Sequence, residues 1–361
     1  MNRAVKVLII PLDWGLGHAT RCIPIVQYMQ SKGWEVTLAG EGQTAALLSS
    51  EFPNTAILPI KGYRITYPKS RWLFIPKIIF QIPKIIAAIV QEHFWLKKMI
   101  STYQWDIVIS DNRYGLFTSR AKTILITHQL SVITGAGKPM DGMLRAIIYS
   151  FIDRFNVCWV PDTEDKENIS GKLSHPKALP VHTEYIGPLS RVEQKNVPES
   201  DFILLLLSGP EPQRTALENI LIKEASKTEY KFLCVRGLPA SSDQLEDRSN
   251  IRFVNHLNAD ELARKIEASI LVICRTGYST VMDLIKLKKK AIMIPTPGQT
   301  EQEYLGRHLG EQRWYIIQNQ EEIDLPNGIH QCMKHSAPLP DFDFNTFSKH
   351  IDRFGIECFG A

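Results

Sequence analysis

Residues 5–39, VKVLIIPLDWGLGHATRCIPIVQYMQSKGWEVTLA, decide the fold. Residues 5–10 form a nearly continuous apolar run, the pattern of a parallel strand buried on both faces. A glycine-bearing loop follows at residues 13–18. A helical pattern then runs from Ala19 to about Lys32, with Gly33 as its stop signal. Residues 35–39 read as the next strand. A strand, a glycine turn, a helix and a strand in about 35 residues is a right-handed β-α-β unit.

The unit recurs. Residues 106–110, 123–127 and 157–160 are short apolar strands separated by helix-length segments. A polar stretch at 190–200, holding Pro198, reads as a linker. Alternation restarts at residues 202–207 and continues with strands at 232–235, 251–254, 270–273 and 291–294. Helices fit at 259–266 and 278–287. The expected class is α/β, with two Rossmann-like doubly wound domains facing a cleft. The expected boundaries are 1–188 and 189–361, with a last helix at about 345–354 free to return to the first domain.

Composition agrees. The 361 residues are 44% hydrophobic and 22% charged, an ordinary globular chain of two domains. The net charge of +4 is too small for wholesale nucleic-acid binding. It is unevenly spread: Lys61, Arg64, Lys69, Arg71, Lys77, Lys84, Lys97 and Lys98 face only Glu92 within residues 61–100, so this segment is +7. Six cysteines lie too far apart for a zinc or redox pair and fit a reducing compartment. Neither a signal peptide nor a spanning helix is expected.

In open α/β sheets, ligands bind beyond the carboxyl ends of strands where strand order reverses. The loops after strands are therefore the candidates. Gly15 and Gly17 permit close backbone approach, and His18 opens a helix, where it is either a general base or a local backbone partner. This is not a dinucleotide fingerprint, because the third glycine is missing. Asp111 ends a strand, placed either to orient an imidazole or to begin an Asx turn. His128 and Gln129 follow the next strand. In the second half, Arg275-Thr276-Gly277-Tyr278-Ser279-Thr280 joins a strand end to a helix start, which favours phosphate, with helix capping as the plainer use. Asp283, one turn on, is in reach of ribose hydroxyls. Gln302 and Glu303 offer an amide and a carboxylate for sugar hydroxyls. The string Asp341-Phe342-Asp343 reads as helix capping, and no metal or cofactor is expected.

The run "CRTGYSTVMDLIKLKKKAIMIPTPGQTEQEYLGRHL" at 274–309 resembles the donor-binding segment of GT-B glycosyltransferases of the family 28 type. "GLGHATRCIPIV" resembles that group's glycine loop. The resemblance implies a UDP-sugar donor held by Gly277, Ser279, Thr280, Asp283, Gln302, Glu303, Arg275 and the Ser208-Gly209 loop. It implies uracil near Arg236 and the His256-Leu257 backbone. It further implies inversion with His18 as base, an N-acetylhexosamine as the sugar, and a hydroxyl acceptor, lipid-linked or of the cell envelope, near Gly15, Gly17 and His128. Asp13 and Trp14 replace the group's leading glycines, and Pro210 and Pro212 remove two N–H donors from the Ser208-Gly209 loop. Nucleotide-sugar hydrolases share the glycine–His start with "RC", here Arg21-Cys22. Hydrolase or 2-epimerase chemistry is thus the first alternative, and a non-catalytic nucleotide-sugar sensor the second.

Residues 72–100 combine many isoleucines with a polar stripe at Lys77, Lys84, Gln91 and Lys98, and with Trp72, Phe74, Phe94 and Trp95. Either the segment is an interfacial element or its isoleucines pack on the sheet. The first reading makes residues 61–100 a peripheral contact with the inner face of the cytoplasmic membrane, on an otherwise cytoplasmic protein.

Overall fold

A computed structural model of the chain describes residues 3–64, 74–131 and 137–359, with backbone alone at 74–79, 138, 358 and 359. The first unit runs β1 (Lys6–Pro11), α1 (Leu16–Ser31), β2 (Glu35–Gly40), α2 (Gly42–Glu51), β3 (Ile57–Pro59), α3 (Phe74–Tyr103), β4 (Ile107–Asp111), β5 (Lys122–Ile126), α4 (Lys138–Ile152), β6 (Val157–Val160) and β7 (Thr183–Tyr185). Its strands pair in parallel in the order β3-β2-β1-β4-β5-β6-β7. The second unit runs β8 (Phe202–Leu206), α5 (Gln213–Ala225), β9 (Lys231–Val235), β10 (Ile251–Val254), α6 (Ala259–Ala268), β11 (Val272–Cys274), α7 (Tyr278–Lys286), β12 (Ala291–Met293), α8 (Thr300–Glu311) and β13 (Ile316–Ile317). Its parallel order is β10-β9-β8-β11-β12-β13. The α/β class with two doubly wound sheets is the expected one. Strand order reverses between β1 and β4 in one sheet and between β8 and β11 in the other.

Local chemistry explains the elements. α1 ends in a Schellman turn: Gly33 takes φ +77°, its N–H bonds Gln30 O, and Trp34 N–H bonds Met29 O. The short strands β3, β7 and β13 are absent from the sequence reading, since two or three residues carry no readable period. β11 starts at Val272, two residues later than expected.

The two units share apolar packing. The cluster holding Ile9, Ile23 and Trp159 continues into Tyr278, Met282 and Cys274. Two further helices, α9 (Leu325–Lys334) and α10 (Thr346–Phe359), complete the chain. α10 lies on the first unit, where Asp352 accepts from Tyr28 Oη at 2.7 Å and His350 pairs with Glu184 at 2.9 Å. Asp343 accepts from Asn345 N just before α10. Cys22, Cys158, Cys234, Cys274 and Cys332 are buried free thiols.

Lys289, just past the end of α7, is buried and reaches Glu199 and the Glu267 carbonyl. The isoleucines of the basic segment divide between packing and exposure. Ile89 is buried, but Ile82 and Ile86 are exposed, as are Phe80 and Phe94. Met140, Met143 and Ile147 of α4 are exposed too. Lys69, Arg71 and Trp72 lie outside the described residues, as do the side chains of Phe74 and Lys77. No helix among the described residues is long and apolar enough to cross a membrane.

Candidate active site at the paired switch points

Both strand-order reversals open onto one cleft. The cleft is open to solvent along one side. From the first unit it is lined by Gly15, Gly17, His18, Arg21 and His128. From the second it is lined by Ser208, Gly209, His256, Gly277, Ser279, Thr280, Asp283, Glu301 and Gln302.

The first unit contributes a buried charge cluster. Asp111, the last residue of β4, is in register with Pro11, where β1 ends. The helix that leaves β1 therefore starts directly over this carboxylate. His18, Arg21 and Cys22 stand three and four residues apart, on one face of α1, and all three reach Asp111. His18 Nδ1 lies 3.0 Å from Oδ1, Arg21 Nε donates to Oδ2 at 2.6 Å, and Cys22 Sγ lies 3.6 Å from Oδ2. Arg21 Nη2 also donates to Oδ1. Burial pushes the Asp111 carboxyl up, but the Arg21 charge, and after it His18, overrides this and holds it at about 2. His18 Nδ1 also lies 3.0 Å from Arg21 Nη2. An ionised carboxylate only accepts and a guanidinium only donates, so the tautomer with Nδ1–H on Asp111, which a base role requires, is the one that leaves Nε2 basic.

The second unit contributes helix starts. α7 begins after Gly277 without a side-chain cap. The first-turn N–H groups of a helix have no partner within it and carry its positive end, which suits an anion. Ser279 does not cap. Its hydroxyl crosses the cleft and donates to Gly17 O at 2.6 Å, tying the two glycine turns together. Tyr278 Oη donates to Pro161 O at 2.8 Å, and its ring stacks on His128 at 4.1 Å between centroids. His256 Nε2 is buried with no hydrogen-bond partner among the described residues, and burial, then Arg191, holds the imidazole down at about 4. A buried unpaired nitrogen costs about 1–3 kcal/mol until something satisfies it.

Several expected donor contacts are engaged elsewhere. Arg275 donates to the carbonyls of Ile294, Pro295 and Gln213. Arg236 is held by Glu218, Asn255 and the Asp243 carbonyl. Asp283 accepts from Ser190 Oγ at 2.7 Å and from Arg191. Gln302 and Glu303 accept from the N–H groups of Thr296 and Gly298, closing their own loop. Two polar groups of the cleft were not anticipated as site residues. Arg21 is 2% exposed at the centre of the cluster. Glu301, not Glu303, is the α8 carboxylate in the cleft, and it meets His128 and Gln129 of the other unit.

The floor depends on Gly237, at φ +69°, where an added Cβ would sit 2.4 Å from the Leu207 carbonyl oxygen. Gly237→Ala should destabilise the fold by at least about 1–2 kcal/mol from left-handed backbone strain. The drop in urea midpoint at unchanged slope measures it.

Among solved structures, the glycotransferase of kitacinnamycin superposes with a TM-score of 0.61 at 12% identity, covering 100% of this chain and 96% of that one. The calicheamicin glycosyltransferase CalG4 gives 0.59 at 11%, covering 99% and 95%. Two Rossmann-like domains with facing switch points are thus the GT-B fold. Residues 214–348 match the family model of the glycosyltransferase family 28 C-terminal domain, and the chain is a hexosyltransferase of GT-B type. It is 24% identical over 337 residues to the UDP-N-acetylglucosamine–N-acetylmuramyl-(pentapeptide) pyrophosphoryl-undecaprenol N-acetylglucosamine transferase of Clostridium botulinum strain Kyoto, covering 90% of this chain and 89% of that protein. It is 24% identical over 332 residues to an uncharacterized glycosyltransferase of Methanosarcina acetivorans, covering 83% and 80%.

Proposed function

We propose that the protein transfers a sugar, an N-acetylhexosamine, from a UDP-sugar to a hydroxyl acceptor with inversion at the anomeric carbon. One observation carries this reading: an imidazole oriented by a buried carboxylate faces an uncapped helix start across a single cleft. The diphosphate lies against the first turn of α7, near Thr280 and the Ser208-Gly209 loop. His256 Nε2 is available to the nucleoside side. The acceptor hydroxyl enters beside Gly15 and Gly17. As its oxygen bonds to the anomeric carbon, its proton passes to His18 Nε2, and the bond from that carbon to the UDP oxygen breaks. The charge left on UDP is offset by the helix end. Asp111 stabilises the imidazolium that forms.

The acceptor is lipid-linked in this proposal, like the pyrophosphoryl-undecaprenol for which the Clostridium relative is named. The exposed apolar side chains of α3 and α4 are a surface on which a lipid carrier or membrane face could lie. The basic residues of 61–100 would add about 1 kcal/mol each near an anionic surface.

Incubation of the protein with UDP-N-acetylglucosamine and a polyprenyl-pyrophosphate glycan, followed by mass spectrometry, tests the reaction. A disaccharide product is expected. Free sugar or an epimer formed without acceptor would replace transfer by hydrolysis or epimerisation, and tight UDP binding without any product would make the protein a sensor. UDP at a hundred times its dissociation constant should stabilise the fold by about 2.7 kcal/mol. The corresponding rise in melting temperature should be larger for UDP than for GDP or dTDP.

A further inference from the structure

The contacts around Arg21 continue into the second unit. Arg21 Nη1 lies 2.8 Å from His128 Nδ1, and His128 Nε2 lies 2.8 Å from Glu301 Oε1. Gln129 Nε2 donates to the other Glu301 oxygen. The chemistry fixes the direction of each bond. Arginine only donates, so His128 Nδ1 accepts. His128 Nε2 then carries the proton and gives it to the Glu301 carboxylate. Burial pushes the Glu301 carboxyl up, but the hydrogen bond from His128, with the Arg21 charge beyond it, overrides this and holds it low, so the acceptor is ionised. An unbroken path therefore runs from α8 through His128, Arg21 and Asp111 to His18, and among the described residues its hydrogen bonds cross between the units at Glu301.

We propose that Glu301 is a positioning residue that couples docking of the sugar-donor domain to the orientation of His18. With the units together, Glu301 fixes the tautomer and ring plane of His128. His128 in turn fixes the Arg21 guanidinium, which shares Asp111 with the imidazole. With the units apart, His128 and Gln129 lose their partner and Arg21 loses one of its constraints, so the imidazole is held for reaction only across a closed cleft. The stacked Tyr278 ring braces His128 from the same unit as Glu301. The catalytic consequence rests on the reading under Proposed function; the coupling itself does not.

The test uses wild type, Glu301→Ala, Glu301→Gln, His128→Ala and the Glu301→Ala/His128→Ala double variant. Nitrogen-15 spectra of labelled histidines read the path without any turnover. Wild-type His128 should show a protonated Nε2. In Glu301→Ala, the His18 resonances should shift although His18 does not touch Glu301. His18 signals that stay put in Glu301→Ala would overturn the proposal, whatever the enzyme catalyses. In transfer assays, each alanine variant should lower kcat about tenfold or more, since small misplacements of a reacting group are costly. The double variant should be no worse than the poorer single, the mark of one shared path. Glu301→Gln, whose amide oxygen still accepts from Nε2–H, should recover most of the loss, and the UDP dissociation constant should stay within about threefold. Multiplying losses in the double variant, or UDP affinity falling in step with kcat, would mean that Glu301 acts directly on the donor. If wild type transfers no sugar, the functional reading fails alone and the spectra still decide the coupling.

Discussion

His18→Ala should cut turnover by about 10²–10⁴-fold, the range that a positioned general base supplies. Neither Asp111 nor His128 can replace it. Asp111 is fully buried and engaged by Arg21, Cys22 and His18, and His128 Nδ1 already accepts from Arg21. Donor affinity should barely change, because α7 and the Ser208-Gly209 loop belong to the other domain. kcat and KM for the donor, with UDP affinity by calorimetry, separate the two effects. A variant within a few-fold of the wild-type rate would remove His18 from the chemistry.

Arg21→Met should destabilise the native state by about 3–5 kcal/mol, the cost of leaving one member of a buried ion pair behind. Arg21 and Asp111 are 2% and 0% exposed, so water cannot replace the lost partner. The pH dependence carries a second signature. The folded Asp111 carboxyl at about 2 lies below its ordinary 3.8. Its stabilising contribution, about 2 kcal/mol, is therefore complete above pH 4 and is lost as pH falls toward 2. In Arg21→Met, burial acts with its main opposition removed and raises that carboxyl, so the variant should lose less stability than wild type on acidification. Urea titrations at pH 7, 4 and 3 measure both effects. Equal acid sensitivity in the two proteins would contradict the assignment.

Much of the architecture could be read locally. The apolar run at 5–10, the glycines at 15 and 17 and the stop at Gly33 each act through near neighbours, and all three are realised in β1, Gly15 at φ +86° and the turn after α1. Asp111 was readable because a carboxylate at a strand end follows from sequence position. Arg21 had a signal that was passed over. It is a charge inside the buried stretch 19–26, three residues after His18, and a charge on a buried helix face requires a partner. Glu301, Gln302 and Glu303 look alike in sequence. Which carboxylate, Glu301 or Glu303, faces the cleft depends on how the loop at 295–299 closes on Gln302 and Glu303.

From the sequence alone came the alternating strands and helices, the two doubly wound units and the loops that carry polar residues, because backbone geometry and apolar period are properties of adjacent residues. Tertiary structure alone decided which of those residues share a site. It turned Arg236, Arg275 and Asp283 toward internal partners, and it brought His128 to Glu301 from 173 positions away. A contact of that span leaves no local pattern, since it exists only after two separately formed sheets bring their switch points face to face.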